Sequence, residues 1–428
     1  MQVSSFNALN ADRKMTLAEI ITIGDEILIG QTVDTNSAWM GRELNKAGVA
    51  VNRITSIQDK ETEIINALDS SLSLADIILI TGGLGPTSDD ITKQTLCKYF
   101  NTSLIFSEEV FNEVDGRMKR RGFPMNEKNR GQAYVPESCT VLMNKAGTAP
   151  GMLFRQNKKV IISMPGVPSE MIFLMSEYVL PLISKEYPGG AIVHRNFMTY
   201  GVGEAVLAER LENFEKELPA EVKLAYLPAF GLVKLRLTAR GSSKDELNRI
   251  VEKEAKKLYG IIPDAIYAEG EVSLEEAIGN LLKESNKTMC TAESCTGGTI
   301  ASMITAIPGA SEWYKGSVIA YSNEVKASVL GVDPALIAEF GAVSRETALA
   351  MASGAREVLR TDYSVAVTGV AGPTGGTEEK PVGTVWISVA TPDRVVAEKH
   401  TFGDARTTNI SRFSATALNM LRKQIISK

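Results

Sequence analysis

The run Asp76 to Thr81, with Ile77, Ile78, Leu79 and Ile80 consecutive, leaves this chain few ways to fold. It shows no helical or alternating period and reads as a fully apolar strand. It ends in a glycine loop, Gly82-Gly83-Leu84-Gly85-Pro86-Thr87-Ser88-Asp89-Asp90. The stretch before it repeats the pattern. Leu17 to Thr22 reads as a strand that ends in Gly24-Asp25-Glu26-Ile27-Leu28. A helix is expected after Asp34-Thr35-Asn36, with Met40, Leu44 and Ala47 on one face and Gly48 as its cap. Val49 to Ile57 predicts a strand leading to Gln58-Asp59, Thr62 to Leu74 a helix, and Ile91 to Phe100 another. Strand and helix alternate, so the first part of the chain is an α/β unit with a parallel sheet.

Such sheets bind ligands at the carboxyl ends of their strands, where this glycine run sits. It is neither a dinucleotide fingerprint nor a Walker loop. Glycines at Gly82, Gly83 and Gly85, with Thr87, let backbone N–H groups approach phosphate oxygens. Asp25, Glu26, Asp59, Asp89 and Asp90 supply carboxylates at three strand ends. Carboxylates beside a phosphate cradle suit Mg²⁺-assisted chemistry on a phosphorylated substrate. The plainer reading makes the aspartates helix caps and the glycines a turn.

The second half carries a different loop. Thr288 to Ala292 reads as a short strand, followed by Glu293-Ser294-Cys295-Thr296-Gly297-Gly298 and a segment with Ile300, Met303 and Ile304 at helical spacing. A strand that turns sharply into a helix exposes a nucleophile, and N–H groups near Thr296, Gly297 and Gly298 would hold an oxyanion. Ser294, Cys295 and Thr296 are all candidate nucleophiles; the plainer alternative is an N-cap followed by packing glycines. Gly316 to Ala320 is a strand with Tyr321 and Lys326 just beyond it. Ser364 to Thr368 is a buried strand ending in the loop Gly369 to Gly376, and Thr384 to Ala390 is a further strand. Gly341-Ala342-Val343-Ser344 caps a helix from Arg345 to Leu359 that carries Arg356.

The chain has two histidines, His194 and His400, and neither lies in a glycine loop. A Ser-His or Cys-His machine is thereby disfavoured, and the base is expected to be a lysine, a tyrosine or a carboxylate, with the Tyr321 phenol and the Lys326 amine at hand beyond a strand end. The oxyanion donors and the glycine loop at Gly369, Gly372 and Gly375 predict hydrolysis of an acyl or amide group on a phosphorylated small molecule. Taken singly, Lys326 reads as a surface lysine, Tyr321 as a packing residue and Arg356 as structural.

Between the halves, Pro188-Gly189-Gly190 marks a boundary. His194 to Tyr200, Lys223 to Tyr226 and Val233 to Ala239 read as strands, and Glu204 to Leu218 and Lys244 to Leu258 as helices. This is a small α+β unit without a GXXG loop of the RNA-binding type. The expected domains are 15–187, 188–268 and 269–428, preceded by a flexible extension, 1–14. The net charge of −5 argues against a broad nucleic-acid surface. No apolar run reaches the roughly 20 residues of a membrane span. Cys97, Cys139, Cys290 and Cys295 form no CxxC pair, which points to a reducing cytoplasm and no structural zinc.

Several motifs together resemble one family. Thr81 to Asp90 with Gly24-Asp25-Glu26 is similar to the molybdopterin-binding domain signature. Asn129-Arg130-Gly131-Gln132-Ala133, Gly147-Thr148-Ala149-Pro150-Gly151 and Met164-Pro165-Gly166-Val167-Pro168-Ser169-Glu170-Met171 narrow the resemblance to the competence/damage-inducible CinA family. Ala292 to Gly298, Tyr321-Ser322-Asn323, Gly341 to Ser344, Thr368 to Pro373 and Lys380-Pro381-Val382-Gly383-Thr384 resemble its carboxyl-terminal domain; Val370 is a small departure. The resemblance implies a three-layer α/β/α first domain, a KH-like middle domain and an α/β amidase domain. It implies that the last hydrolyses nicotinamide mononucleotide (NMN) to nicotinate mononucleotide and ammonia without a cofactor. Ser294 would attack, Tyr321 or Lys326 would act as base, and Arg356 and the Gly369 loop would hold ribose and phosphate. It further implies a metal-dependent ADP-ribose pyrophosphatase in the first domain, with Arg130 on a phosphate, and a homodimer. The rival readings are a non-catalytic pterin- or nucleotide-binding module and a competence-related interaction protein.

Overall fold

The computed structural model describes residues 15–87, 89–188, 190–229 and 231–427. The expected extension 1–14, Ser88 of the first glycine loop and Gly189 of the Pro-Gly-Gly boundary lie outside the described residues. No described helix is long and apolar enough to cross a membrane.

The amino-terminal sheet has six strands: β1 (Leu17–Ile23), β2 (Ala50–Ile57), β3 (Ile77–Thr81), β6 (Thr140–Leu142), β7 (Gly151–Gln156) and β8 (Lys159–Met164). A separate two-stranded ribbon pairs β4 (Leu104–Phe106) with β5 (Tyr134–Pro136). The order is β2-β1-β3-β8-β7-β6; the first four run parallel and the last two form an antiparallel edge. The unbroken apolar run of β3 is explained by its cover. Ile77 and Leu79 pack with Ile20, Met40 and Leu44 on one face, while Ile78 and Ile80 pack with Ile21, Ile64 and Leu68 on the other. A central parallel strand has helices on both sides, so both of its alternating faces must be apolar.

The middle sheet contains β9 (Ala191–Tyr200), β10 (Val222–Ala229), β11 (Leu232–Gly241) and β12 (Ile266–Glu269), ordered β10-β11-β9-β12. The carboxyl-terminal sheet contains β13 (Met289–Glu293), β14 (Tyr314–Ile319), β15 (Tyr363–Gly369), β16 (Thr384–Ala390) and β17 (Val395–Thr401), ordered β14-β13-β15-β16-β17. Its β14, β13 and β15 are parallel, and β16 and β17 return antiparallel. Helices α1 (Leu274–Glu284), α2 (Thr299–Thr305) and α5 (Arg406–Ile426) cover one face through Ile278, Ile300, Ile304, Phe413 and Leu418. Helix α4 (Arg345–Leu359) covers the other through Met351, Ala352 and Ala355. The short α3 (Asn323–Ser328) follows β14.

The chain packs into two compact units. One comprises the chain to Val193 together with Thr238–Glu252; the other comprises His194–Leu237 and Lys253 onward. The middle strands in the second unit share its core: Tyr200 is buried among Leu274, Ile278 and Phe413, and its phenol is 2.9 Å from the Thr416 hydroxyl.

Candidate active site

In the carboxyl-terminal domain the carboxyl ends of β13, β14 and β15 converge. Ser294 directly follows β13, and its amide donates to the Val367 carbonyl of β15 at 3.0 Å. Gly297 (φ +60°) and Gly298 (φ +100°) are left-handed, which lets the chain turn from strand into α2 within residues 294–298. Glu293 locks this turn. It is fully buried, and its carboxylate accepts from the amides of Gly298 (3.0 Å), Ile300 (3.0 Å) and Ala301 (2.8 Å). A buried charge needs such partners. Glu293 escaped the sequence reading, although a carboxylate ending a buried strand is itself a signal.

Lys326 lies on α3, which Ser322 caps by accepting from the Val325 amide. Its residue exposure is 1%, against 8% for Ser294. The Lys326 Nζ is 3.1 Å from Ser294 Oγ, and it donates to the carbonyls of Ala320 (2.9 Å) and Tyr321 (3.4 Å). Two carbonyls thus fix the amine and aim its third position at the serine. Burial lowers its pKa below the ordinary 10.5, against smaller opposing effects of Cys295 and Glu324. The neutral amine, with a free lone pair, is the form that accepts a proton from serine.

The alternative nucleophiles fare differently. Cys295 packs into the hydrophobic core, and burial pushes its thiol up to about 12, so it carries almost no thiolate near neutrality. Thr296 is 2% exposed and its hydroxyl is buried without a hydrogen-bond partner. The Tyr321 side chain is 63% exposed, and only its backbone carbonyl touches Lys326.

Three expectations need correction. The Gly298 amide is taken by Glu293 and the Gly297 amide by the Ser294 carbonyl at 3.2 Å. The Thr296 amide has no backbone partner and the Cys295 amide has only its own thiol sulfur; these two, directly after the serine, are the available oxyanion donors among the described residues. Arg356 is far from the site. It sits in the last turn of α4 and donates to the Asp362 carbonyl at 3.1 Å, just before β15 begins. Counted along β15, that is about 20 Å from the Gly369 loop. The nearby cation is Arg406, whose charge favours the Cys295 thiolate and whose guanidinium holds the Gly372 carbonyl at 2.9 Å. Finally, Gly369 and Gly372 serve close packing: a Cβ would meet the Thr384 carbonyl oxygen at 2.6 Å and the Val382 Cγ1 at 2.5 Å, respectively. Gly375 (φ +87°) would meet only Val370 Cγ1, in ordinary contact at 3.9 Å, so its requirement is conformational; Gly372 (φ +89°) shares that requirement.

The amino-terminal loop is built otherwise. Gly82 (φ +114°) lies so close to β1 that a Cβ would sit 2.1 Å from the Ile23 carbonyl oxygen. Asn36 bridges the loop to the Pro-Gly turn, donating to Gly166 O (2.7 Å) and Thr81 Oγ1 (3.2 Å); its own carbonyl oxygen is buried and unpartnered. The Gly85 and Thr87 amides do not face an open cradle: Asp90 accepts from them at 2.7 and 2.9 Å, and from the Thr87 hydroxyl. Asp90 is therefore a loop staple rather than a free ligand. Arg130 lies over the rings of Phe106 (5.5 Å) and Phe111 (5.7 Å), a cation–π seat that supplies its stabilisation without a phosphate. Asp59 feels the other four carboxylates: burial first, then Asp25, Glu26, Asp90 and Asp89 raise its pKa from 3.8 to about 6. Among the described residues no group of three or more acidic, His or Cys side chains has the arrangement of a metal site. Their donor chemistry suits a hard cation; their positions are not those of a formed ligand set. Lys93, unremarked in the sequence, is buried nearby, and burial pushes its amine down to about 8.

Residues 271–425 match the CinA C-terminal domain, residues 19–185 the probable molybdopterin binding domain, and residues 194–268 the damage-inducible protein CinA KH domain. A CinA-like protein of Flavobacterium psychrophilum is 45% identical over 96% of this chain and 98% of its own length. Another, of Cytophaga hutchinsonii, is 44% identical over 95% and 98%. Among solved structures, the competence/damage inducible protein CihA from Agrobacterium tumefaciens is 41% identical, covering 35% of this chain and 92% of its own with a TM-score of 0.35.

Proposed function

The chain belongs to the CinA family, and on that footing we propose that its carboxyl-terminal domain is a serine amidase that converts NMN to nicotinate mononucleotide and ammonia. One observation carries the reading: the Lys326 amine, fixed by two carbonyls and depressed by burial, is 3.1 Å from Ser294 Oγ.

Ser294 Oγ attacks the carboxamide carbon while neutral Lys326 accepts the hydroxyl proton. The carbonyl oxygen gains the charge and is held by the Cys295 and Thr296 amides. The tetrahedral intermediate collapses as the C–N bond breaks, and the Lys326 ammonium protonates the departing nitrogen, releasing ammonia. Water then adds to the acyl-serine with Lys326 again as base, which frees the carboxylate and restores Ser294. Arg406 and the loop around Gly375 are suited to the substrate phosphate, and exposed Tyr321 to the rim of the nicotinamide pocket.

The test is ammonia release from NMN by the purified chain without added metal. Turnover by the wild type with at least a thousandfold loss in Ser294→Ala, at unchanged melting temperature, is the expected result. Full turnover by Ser294→Ala would remove the serine from this role.

A second activity is favoured by the carboxylates around Asp59. We propose that the amino-terminal domain hydrolyses ADP-ribose to AMP and ribose 5-phosphate with a divalent cation that Asp25, Glu26, Asp59 and Asp89 would hold. A bound cation would neutralise phosphoryl charge and lower the pKa of its water. Product formation abolished by a chelator and restored by Mg²⁺ or Mn²⁺ checks it; a domain that binds ADP-ribose without turnover under any metal is a binding module instead.

A further inference from the structure

The second compact unit contains a cavity of about 630 Å³ between strands β9, β11 and β12 and helices α1, α2 and α5. Its wall is largely apolar, with Met198, Leu232 and Tyr267 on the sheet side and Met303 on the helix side. The volume is that of sites for single small molecules.

One charged group in this wall has no protein partner. Glu275, in the first turn of α1, is 8% exposed and lines the cavity. Its carboxylate makes no hydrogen bond or ion pair among the described residues. The two other charges at the wall, Lys234 and Glu271, pair with each other at 2.6 Å, and Glu271 is 72% exposed. The Arg422 guanidinium, whose charge like that of Glu275 reaches the Tyr267 phenol, donates to Asn419 at 3.2 Å and forms no ion pair with Glu275. Its carboxylate oxygens are not enclosed by protein, and in an otherwise apolar wall they offer an unneutralised charge to whatever enters. The missing partner is a cation, and the surrounding surface asks for an apolar ring behind it.

The same cavity touches the catalytic machinery from behind. Thr299 and Met303 belong to α2, whose first amides are gripped by Glu293 and whose preceding residues form the Ser294 loop. A molecule seated against α2 acts on the position of that loop.

We propose that this cavity is an effector site for a small molecule that carries an apolar ring and one cationic nitrogen, bound through Glu275 and sensed by the Ser294 loop through α2. Binding and loop order are read without turnover, so the proposal stands apart from the amidase assignment.

The probe is tryptamine, an indole with an ammonium group, titrated calorimetrically into the full chain at pH 7. Indole-3-acetate, the same ring with the opposite charge, is the control. Tryptamine is expected to bind with one site per chain, and indole-3-acetate at least about tenfold more weakly, as one charge-assisted contact predicts. Glu275→Gln should lose about tenfold in tryptamine affinity. Ala415→Trp keeps Glu275 but fills the cavity from α5, and should abolish binding. Amide hydrogen exchange over residues 294–303 should slow when tryptamine binds. Equal affinity for both indoles, no tryptamine binding by the wild type, or unchanged affinity in either variant overturns the site. Binding with no change in exchange over 294–303 overturns its role as an effector.

Discussion

At two of the strand ends that carry glycine loops a carboxylate reaches into the loop, with opposite consequences. At the end of β13, Glu293 is fully buried, belongs to the strand itself and takes three amides of the α2 start. That leaves the two amides beside Ser294 without a backbone acceptor. At the end of β3, Asp90 reaches back from beyond the loop, is only half-buried, and occupies the Gly85 and Thr87 amides that a phosphate would use. A carboxylate behind a loop builds a site; one in front of it competes with the ligand. The first loop is thus set for attack at carbon, and the second is a charge-rich surface whose chemistry depends on what neutralises it.

The largest effect should come from the residue that makes the β13 loop reactive. Lys326→Met is expected to lower NMN hydrolysis by 10³-fold or more, about 4 kcal/mol of barrier. In the wild type the rate should rise with pH through an apparent pKa below 10.5, because only the neutral amine accepts the serine proton and burial favours that form. Lys326→Arg, which stays charged, should be inactive at every pH from 6 to about 10. A wild-type rate that falls over this range, or an active arginine variant, would break the assignment of the base.

The next test compares the two carboxylates. Glu293→Gln keeps shape but removes a buried charge that serves three amides, and should cost about 3 kcal/mol in denaturant unfolding of the second unit. Asp90→Asn, on a solvent-facing loop, should cost about 1 kcal/mol or less. It should also raise, not lower, the affinity of the first domain for inorganic phosphate, because the neutral amide competes poorly for the Gly85 and Thr87 amides. Similar costs for the two variants would mean that burial does not separate the loops.

Much of this was legible in the residues. The uninterrupted apolar run of β3 announced a strand covered on both faces, and the glycine loops announced where ligands would gather. The scarcity of histidine pointed to Tyr321 or Lys326 as the base, without choosing between them. What sequence order does not give is adjacency. Ser294 and Lys326 meet because β14 lies beside β13, a pairing that no local pattern encodes. The misplaced Arg356 had a readable cause. A helix that follows a strand in a parallel sheet runs back toward the strand starts, so its last turn lies at the end opposite the ligand loops. Arg406, at the first turn of the helix after β17, begins at the correct end. The capture of loop amides by Asp90 depends on loop geometry within five residues, which composition alone leaves open.

The smallest expected effect concerns the charge on the amino-terminal loop. Asp59 is raised to about 6 from 3.8 by burial and by four neighbouring carboxylates. The folded domain therefore holds a proton that the unfolded chain releases between these values. The stability this contributes is full below 3.8 and is lost as pH rises through about 6. At pH 8 the ionised group only repels its neighbours. Asp59→Asn removes the repulsion and should stabilise the domain by about 1 kcal/mol once solvent screening is allowed for. Native-state hydrogen exchange of the β1 and β3 amides reads this for the domain itself. Millimolar Mg²⁺ should slow the same exchange in the wild type by neutralising the cluster, and should do less in Asp59→Asn. If Mg²⁺ protects both proteins equally, Asp59 is no part of a cation site, and the contrast between the two loops rests on Glu293 and Asp90 alone.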